Sequence, residues 1–325
     1  MATISKRRTV AVIAAFGLVL HAATLRAASD KPLRVVLPVG AGSGVDTIVR
    51  AIGPQLSKAL EQPLVIENLP GAGGIPGTAA IVKAPADGQT IGVVANTHVI
   101  SPSVFKSLPY DALADITPIM VVGSTPFVVV VNPAKLPAKN LAELVALLKA
   151  KPGVYNYASS GNGTILHLAG ALFADEAGVD IKHVPYKGVA PMTSDLIAGH
   201  VDLGVLSVPS VQGHLKSGAL RAIGVGTPTR IPQLPDVPTL AEQGMPNYVV
   251  GGWFAVVGPA KLPAAEVKRI HAGFTTALAT QEVRDAMVAQ GNLISPTTPE
   301  AAAQYMRAEL DRYAKLISKI GLKPE

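Results

Sequence analysis

Two strand-to-helix turns of the same kind constrain this chain more than any other feature of its sequence. In the first, an apolar run leads through Pro38-Val-Gly-Ala-Gly-Ser-Gly44 into a helical pattern, and in the second another leads through Ser159-Ser-Gly-Asn-Gly-Thr164. The first N–H groups of a helix have no intrahelical partner and lie at its positive end, so such turns bind anions. Because neither turn contains Lys or Arg, the pair favours a cleft that holds a small carboxylate from two sides.

The N-terminus has the pattern of an export signal. A basic stretch at Lys6-Arg-Arg8 precedes an apolar run from Thr9 to Leu20, and small residues follow at Ala27-Ala-Ser29. The apolar run is shorter than the ~20 residues that span a membrane. We therefore predict that residues 1–29 are a cleaved signal peptide and that the mature protein is exported. The Arg7-Arg8 pair leaves a twin-arginine export route open.

Charge and cysteine content exclude several classes of protein. The full chain has a formal charge of +6, but residues 1–29 carry four of the basic side chains and no acid, which leaves +2 for the predicted mature chain. No basic run remains there, so nucleic acid is not a predicted partner. Cysteine is absent, which excludes disulfides, thiolate metal sites and a cysteine nucleophile.

Short β-branched runs alternate with helical patterns, as in parallel sheets flanked by helices. The first part of the chain contains predicted strands at Leu33–Pro38, Leu64–Glu67, Thr90–Val94 and Ile119–Val122. A second α/β set begins at Phe127, and Asn140-Leu-Ala-Glu143 predicts a capped helix within it. The length after residue 29 is sufficient for two such units, each with its own core.

Catalytic, cofactor and metal sites have weaker support than anion binding. The first turn resembles a dinucleotide fingerprint followed by an acid at Glu67, but Val45 or Thr47 stands where the third small residue belongs. Ser159 and Ser160 do not lie in a G-x-S-x-G elbow, and the histidines lack metal-binding spacing. We predict no catalytic residue, metal or cofactor, and an NAD(P)-dependent oxidoreductase remains a weaker alternative.

The second turn offers short neutral hydrogen-bonding groups. Ser159, Ser160, Asn162 and Thr164 provide donors and acceptors, and Gly161 permits a close backbone approach. Thr164 is the predicted N-cap of the helix that follows. In the first turn, Asp46 is predicted to stabilise the first helical turn by its charge.

Motifs along the whole chain after residue 29 resemble one protein family. The chain is similar to the Bug family, the periplasmic solute-binding receptors of tripartite tricarboxylate transporters. The strings that carry the resemblance are Pro38-Val-Gly-Ala-Gly-Ser-Gly-Val-Asp-Thr-Ile-Val-Arg50, Glu67-Asn-Leu-Pro-Gly-Ala-Gly-Gly-Ile-Pro-Gly-Thr78, Ala86-Asp-Gly88, Leu108-Pro-Tyr-Asp111, Asn156-Tyr-Ala-Ser-Ser-Gly-Asn-Gly-Thr164, His183-Val-Pro-Tyr-Lys-Gly188, Pro235-Asp-Val-Pro-Thr239 and Trp253.

The resemblance implies a type II periplasmic-binding-protein fold, with two α/β lobes, a central cleft and two crossovers. Residues 30–126 and 252–325 are expected to form lobe 1, and residues 127–251 to form lobe 2. The implied function is a monomeric, non-catalytic receptor that closes on a small carboxylated organic acid or acidic amino acid. It would then present this ligand to the membrane subunits of a transporter. A periplasmic sensing subunit of a signalling system is the alternative.

The resemblance also implies which residues bind the ligand. From the first lobe they are Val39, Gly40, Ala41, Gly42, Ser43, Asn96, Thr97 and His98, and from the second they are Ser159, Ser160, Gly161, Asn162, Thr164, Tyr186, Gly188 and Ser207. Asp46 and Asp195 are expected to support the site without touching the ligand. Val39 replaces a common aromatic residue and Leu206-Ser207 a common polar pair. These departures suggest a more apolar end of the pocket and argue against citrate or another multiply charged acid.

Overall fold

Strands and helices alternate along residues 31–322, the part of the chain that the computed structural model describes. The strands are β1 (Leu33–Leu37), β2 (Leu64–Asn68), β3 (Thr90–Ala95), β4 (Ile116–Val131), β5 (Asn156–Ser159), β6 (Lys182–Pro185), β7 (Leu203–Ser207), β8 (Arg221–Val225), β9 (Gly251–Pro259) and β10 (Leu293–Ile294). The helices are α1 (Gly44–Leu60), α2 (Ile75–Val82), α3 (Thr97–Val104), α4 (Leu141–Ala150), α5 (Ile165–Ala177), α6 (Val189–Ala198), α7 (Val208–Lys216), α8 (Ala264–Leu278), α9 (Gln281–Gln290) and α10 (Pro299–Lys319). None of these helices is long and apolar enough to cross a membrane. The predicted signal peptide lies outside the described residues.

The strands pair in the order β2-β1-β3-β9-β4-β7-β5-β6, and β8 and β10 each pair with β4. The first sheet half consists of β1–β3, β9, β10 and residues 116–126 of β4, and the second sheet half of β5–β8 and residues 127–131 of β4. β1 lies between β2 and β3 and is parallel to both, and β5 lies in the same way between β6 and β7. The two halves therefore repeat one βαβαβ arrangement, which explains why the same turn occurs twice in the sequence.

Strand β4 belongs to both sheet halves. Its residues 116–126 pair with β9, and its residues 127–131 pair with β7 and β8. The prediction of separate strands at Ile119–Val122 and Phe127 is wrong, because a single strand runs through both. Pro126 cannot donate to a ladder and therefore suggests a strand end. Here it lies at the junction, where it faces Gly251 in the last pair with β9.

Helix α3 is present although the sequence analysis did not predict it. Thr97, Val99 and Ile100 are β-branched and Pro102 lies inside the helix, so its helical propensity is low. The helix is nevertheless well packed, because its Val99, Ile100 and Val104 side chains are buried. Tertiary burial therefore overrides local propensity in this segment.

Two predicted caps are confirmed. The Asn140 side chain accepts a hydrogen bond from the Glu143 N–H at 2.9 Å at the start of α4. The Thr164 hydroxyl accepts from the His167 N–H at 3.3 Å at the start of α5. Both caps depend on contacts three residues apart, which sequence alone can identify.

Asn96 connects three elements at the centre of the molecule. Its Oδ1 accepts from the Trp253 N–H at 2.8 Å, and its Nδ2 donates to the Tyr313 hydroxyl at 2.6 Å and to the Gly251 carbonyl at 3.2 Å. The residue is fully buried. The amide thus joins the start of α3 to β9 and α10.

Replacing Asn96 with alanine should lower the free energy of unfolding by about 3 kcal/mol, because it leaves buried groups on three partners without hydrogen bonds. Urea denaturation measures this loss. The matched control is Asn247→Ala, since Asn247 is exposed and should change the stability by less than about 0.5 kcal/mol. Equal stability of the two variants would contradict the central role of Asn96.

Candidate ligand-binding site

A cavity of about 100 Å³ lies between the two sheet halves. Its walls come from the turns that follow β1, β2, β3, β5, β6 and β7, together with β4 and β9 at the junction. This volume accommodates several water molecules or a small organic molecule. Among the described residues that line the cavity, none has a charged side chain.

Six helices of the described chain begin at this cavity. Their N-cap residues all line it, and they are Ser43, Gly74, Asn96, Thr164, Gly188 and Ser207. Each helix follows the carboxyl end of a parallel strand, so the sheet topology brings the six helix starts together. The N–H groups and positive dipole ends at helix starts attract anions. The cavity is therefore electropositive although no cation lines it.

Some of these N–H groups are already bonded, and others are not capped. The Ser43 hydroxyl accepts from the Asp46 N–H at 3.3 Å, and the Thr97 hydroxyl accepts from the Ile165 N–H at 3.2 Å. At the starts of α2, α3, α6 and α7, no side chain of the N-cap residue bonds the helix backbone. At these helix starts, no N-cap side chain competes with a bound anion for the backbone N–H groups.

Nine of the residues predicted to bind the ligand line the cavity, namely Val39, Gly40, Ser43, Asn96, Thr97, Ser160, Thr164, Gly188 and Ser207. Ala41, Gly42, Ser159, Gly161 and Asn162 belong to the same two turns without lining it. The remaining predicted residues, His98, Tyr186, Asp46 and Asp195, lie outside the lining set and are engaged within the protein.

Asp46 organises the first turn. Its carboxylate accepts hydrogen bonds from the Gly42 N–H at 2.9 Å, from Asn68 Nδ2 at 3.0 Å and from Arg50 Nε at 2.9 Å. Burial opposes ionisation, but these hydrogen bonds and the charge of Arg50 hold the pKa of Asp46 below its usual value. The Arg50 charge is thereby paired behind the turn and does not face the cavity.

Ser159 and His183 support the second turn from behind. Ser159 Oγ lies 2.6 Å from His183 Nε2 and also contacts the Gly161 backbone. The Thr164 hydroxyl donates to the Gly161 carbonyl at 2.8 Å. Gly161 has a φ of 132°, a conformation that favours glycine. The second turn is held by these internal bonds.

Tyr186 and Asp195 form a pair outside the cavity lining. The Tyr186 hydroxyl donates to Asp195 Oδ2 at 2.7 Å, and His200 Nδ1 lies 3.3 Å from Asp195 Oδ1. Burial and the nearby Asp195 carboxylate raise the pKa of Tyr186 to about 12. These contacts connect β6 and α6 and fix the turn that precedes Gly188.

His98 is a core residue in this structure. Its ring is buried, its Nε2 lies 2.6 Å from the Ala112 carbonyl, and it stacks on Tyr110 with ring centroids 6.3 Å apart. Burial lowers the pKa of His98 to about 4, although the bond to Ala112 opposes this change.

The two sheet halves touch along the rim of the cavity. Ser210 Oγ donates to the Gly42 carbonyl at 3.1 Å, and a side chain at Gly40 would begin 3.9 Å from the Gly188 Cα. The Phe105 ring lies against Gly163, where any larger residue would collide with it. The two halves are therefore in direct contact along this rim.

The sequence analysis missed the strand wall of the cavity, which consists of Thr125, Phe127, Gly252, Trp253 and Phe254. These residues come from β4 and β9, which pair across the junction. Trp253 was noted only as a family motif. Gly71, Gly73 and Gly74, which were noted only within a family motif, also line the cavity. No local pattern identifies the wall, because it forms only when distant segments pair.

Comparisons with known proteins agree with this geometry. The model of the tripartite tricarboxylate transporter family receptor matches residues 48–322. The chain is 36% identical over 323 residues to the UPF0065 protein in the tcbD-tcbE intergenic region of Pseudomonas sp. (strain P51), covering 98% of this chain and 95% of that protein. It is 34% identical over 295 residues to protein BugT of Bordetella pertussis, covering 90% of each chain.

Solved structures give the same result. The periplasmic binding protein BugD superposes with a TM-score of 0.88 at 28% identity, covering 91% of this chain and all of that one. MatC from Rhodopseudomonas palustris, solved with malate, has a TM-score of 0.83 at 29% identity over 88% of this chain and 98% of its own. An R. palustris protein solved with adipate has a TM-score of 0.87 at 30% identity over 90% of this chain and 98% of its own.

The buried His98 ring predicts a pH dependence of stability. The unfolded ring has a pKa near 6.5 and takes up a proton as the pH falls, whereas the folded ring stays neutral until about pH 4. The contribution of His98 to the free energy of unfolding is therefore fully present above pH 6.5. It is lost between pH 6.5 and 4, by up to about 1.4 kcal/mol per pH unit. Urea unfolding measures the free energy of unfolding of the wild type minus that of His98→Gln. This difference should decrease by about 2 kcal/mol from pH 7 to 4.5. Parallel pH profiles of the two proteins would contradict this.

Proposed function

The chain belongs to the tripartite tricarboxylate transporter receptor family, and on this basis we propose that it captures a small carboxylate between its two sheet halves and presents it to transporter membrane subunits. The family resemblance predicted from the motifs and the periplasmic-binding-protein fold are confirmed. Its relatives are periplasmic solute-binding receptors, so the protein is a receptor of this kind and not an oxidoreductase.

The observation that carries the proposal is the meeting of six helix starts at a cavity whose lining, among the residues that the structure describes, has no charged side chain. Backbone N–H groups bond an anionic oxygen strongly, and they need no buried cation for this. A neutral solute would gain less from the same dipoles, and a cation would be repelled. Malate and adipate occupy two structural neighbours, which supports a carboxylate as the ligand class here. An acidic amino acid belongs to the same class.

The sheet halves supply the moving parts of the proposed mechanism. We assign residues 30–126 and 252–325 to lobe 1 and residues 127–251 to lobe 2, so that the boundaries fall where β4 and β9 pass the junction. Hinge closure at these two crossings buries the ligand and creates the surface that membrane subunits recognise. The proposed receptor works as a monomer and reaches the periplasm through the signal peptide at residues 1–29.

Small carboxylates should raise the melting temperature of the purified protein. A ligand at ~100 times its Kd adds about 2.7 kcal/mol to the free energy of unfolding, which corresponds to several degrees. The measurement is a thermal-shift screen of organic acids and amino acids, with sugars and cations as controls. A shift with a neutral sugar or a cation, and none with any acid, would overturn the carboxylate proposal.

Closure should fail when a side chain is placed between the halves at Gly40. The Gly40→Leu variant meets no backbone strain, because the φ of Gly40 lies outside the positive region, but its side chain meets Gly188. A cost of about 2 kcal/mol weakens binding roughly 30-fold. Titration calorimetry with the acid identified in the screen measures this loss.

The matched control for Gly40→Leu is Gly213→Leu. Gly213 is exposed on α7 and has open space around it, so its variant should bind as the wild type does. If both variants bind equally well, the ligand does not require the contact between Gly40 and Gly188.

A further inference from the structure

The strand wall differs chemically from the turns that face it. Phe127, Trp253 and Phe254 line the cavity and expose only 4%, 3% and 1% of their surfaces, so the strand wall is apolar and tightly packed. The turns opposite consist mainly of glycine, serine and threonine. Under the proposed function, the carboxylate binds at the helix starts of these turns. The rest of the ligand then rests against the strand wall.

The polar atoms next to the strand wall are already paired. The Trp253 indole N–H donates to Glu309 Oε2 at 2.8 Å, and Glu309 forms an ion pair with Arg312 at 2.6 Å. The Asn96 amide is committed to Trp253, Tyr313 and Gly251, as described above. Neither the indole nor the amide is left to bind a second anionic group.

A second carboxylate on the ligand would therefore be poorly accommodated at this wall. Burying an ionised carboxylate without a cation or sufficient donors costs several kcal/mol. Burying apolar ligand surface there instead is favourable, because it removes that surface from water. The wall selects against a second charge and in favour of an apolar body.

One polar atom of the strand wall has no partner. Thr125 lines the cavity, and its buried hydroxyl makes no hydrogen bond within the described part of the chain. Its methyl group lies over Gly252 and near Gly44, where a larger residue at position 252 would collide with it. An unsatisfied buried hydroxyl is unfavourable, and a ligand group bonded to it would remove this cost.

We infer that the ligand is an acid with a single carboxylate, an apolar body, and one neutral hydrogen-bonding group that reaches Thr125. This inference rests on the proposed function, since it assumes that a carboxylate binds at the helix starts. It adds the chemical class of the remainder of the molecule and identifies Thr125 as a residue that determines specificity.

The first experiment compares ligands that differ only at the end remote from the carboxylate. Calorimetric titrations use hexanoate against adipate, and 4-methylbenzoate against terephthalate, each with the neutral hexanamide or 4-methylbenzamide as a third probe. We expect at least one monoacid to bind ten times more tightly than its diacid, and both amides to bind more weakly than the corresponding monoacids.

The outcomes distinguish a failure of the inference about the ligand from a failure of the proposed function. Diacids that bind as tightly as the monoacids, or more tightly, overturn the inference and leave the proposed function intact. Amides that bind as tightly as the acids overturn the proposed function and the inference together. If none of the four acids binds although a different diacid from the thermal-shift screen does, the inference alone is overturned.

The second experiment tests Thr125 with an isosteric substitution. We expect 4-hydroxybenzoate to bind the wild type more tightly than 4-methylbenzoate. In Thr125→Val this preference should fall about fivefold, the effect of one hydrogen bond of ordinary strength. The control is Thr275→Val, which makes the same chemical change on the exposed face of α8 and should keep the wild-type preference. A preference that is absent in the wild type, or unchanged in Thr125→Val, contradicts the role of Thr125.

Discussion

The unsatisfied N–H groups at helix starts are the constraint on which the rest of this structure depends. Each of the strands β1, β2, β3, β5, β6 and β7 ends near the cavity, and a helix begins there. One such helix start attracts an anion weakly, whereas six that face a single cavity create a positive site without any cation. The neutral lining follows from this arrangement, since a basic side chain would add a charge that needs its own partner when the cavity contains no ligand.

Local chemistry in the sequence predicts the turns and their caps well. Thr164 and Asn140 were identified as N-caps because the bond that each accepts reaches only three residues along the chain. The pattern of small residues at Gly40–Gly44 and Ser159–Thr164 likewise predicts a strand, a turn and a helix. These features depend only on residues close together in the chain, so they can be predicted from the sequence alone.

The rest of the site depends on contacts between distant segments. Thr125 faces Gly252 across the β4–β9 pair, and no sequence pattern relates these two positions. The same pairing explains why β4 continues through Pro126, where local propensity predicts a strand end. His98 follows β3 in a predicted ligand segment, but the packing of Tyr110 and Ala112 turns its ring into the core. Position in a motif therefore predicts which backbone forms the site, and tertiary packing decides which side chains face the ligand.

The passage of β4 through both sheet halves also determines the order in which the fold can be completed. The second half takes all of its strands from the continuous stretch between residues 127 and 225. The first half needs β9, and the Thr117–Pro259 hydrogen bond joins residues 142 positions apart. Contacts of such separation form late, because closing a long loop costs entropy before the contact stabilises it. Until β9 is synthesised and pairs with β3, the backbone groups along that edge of β3 have no strand partner. The first sheet half is therefore synthesised first and completed last.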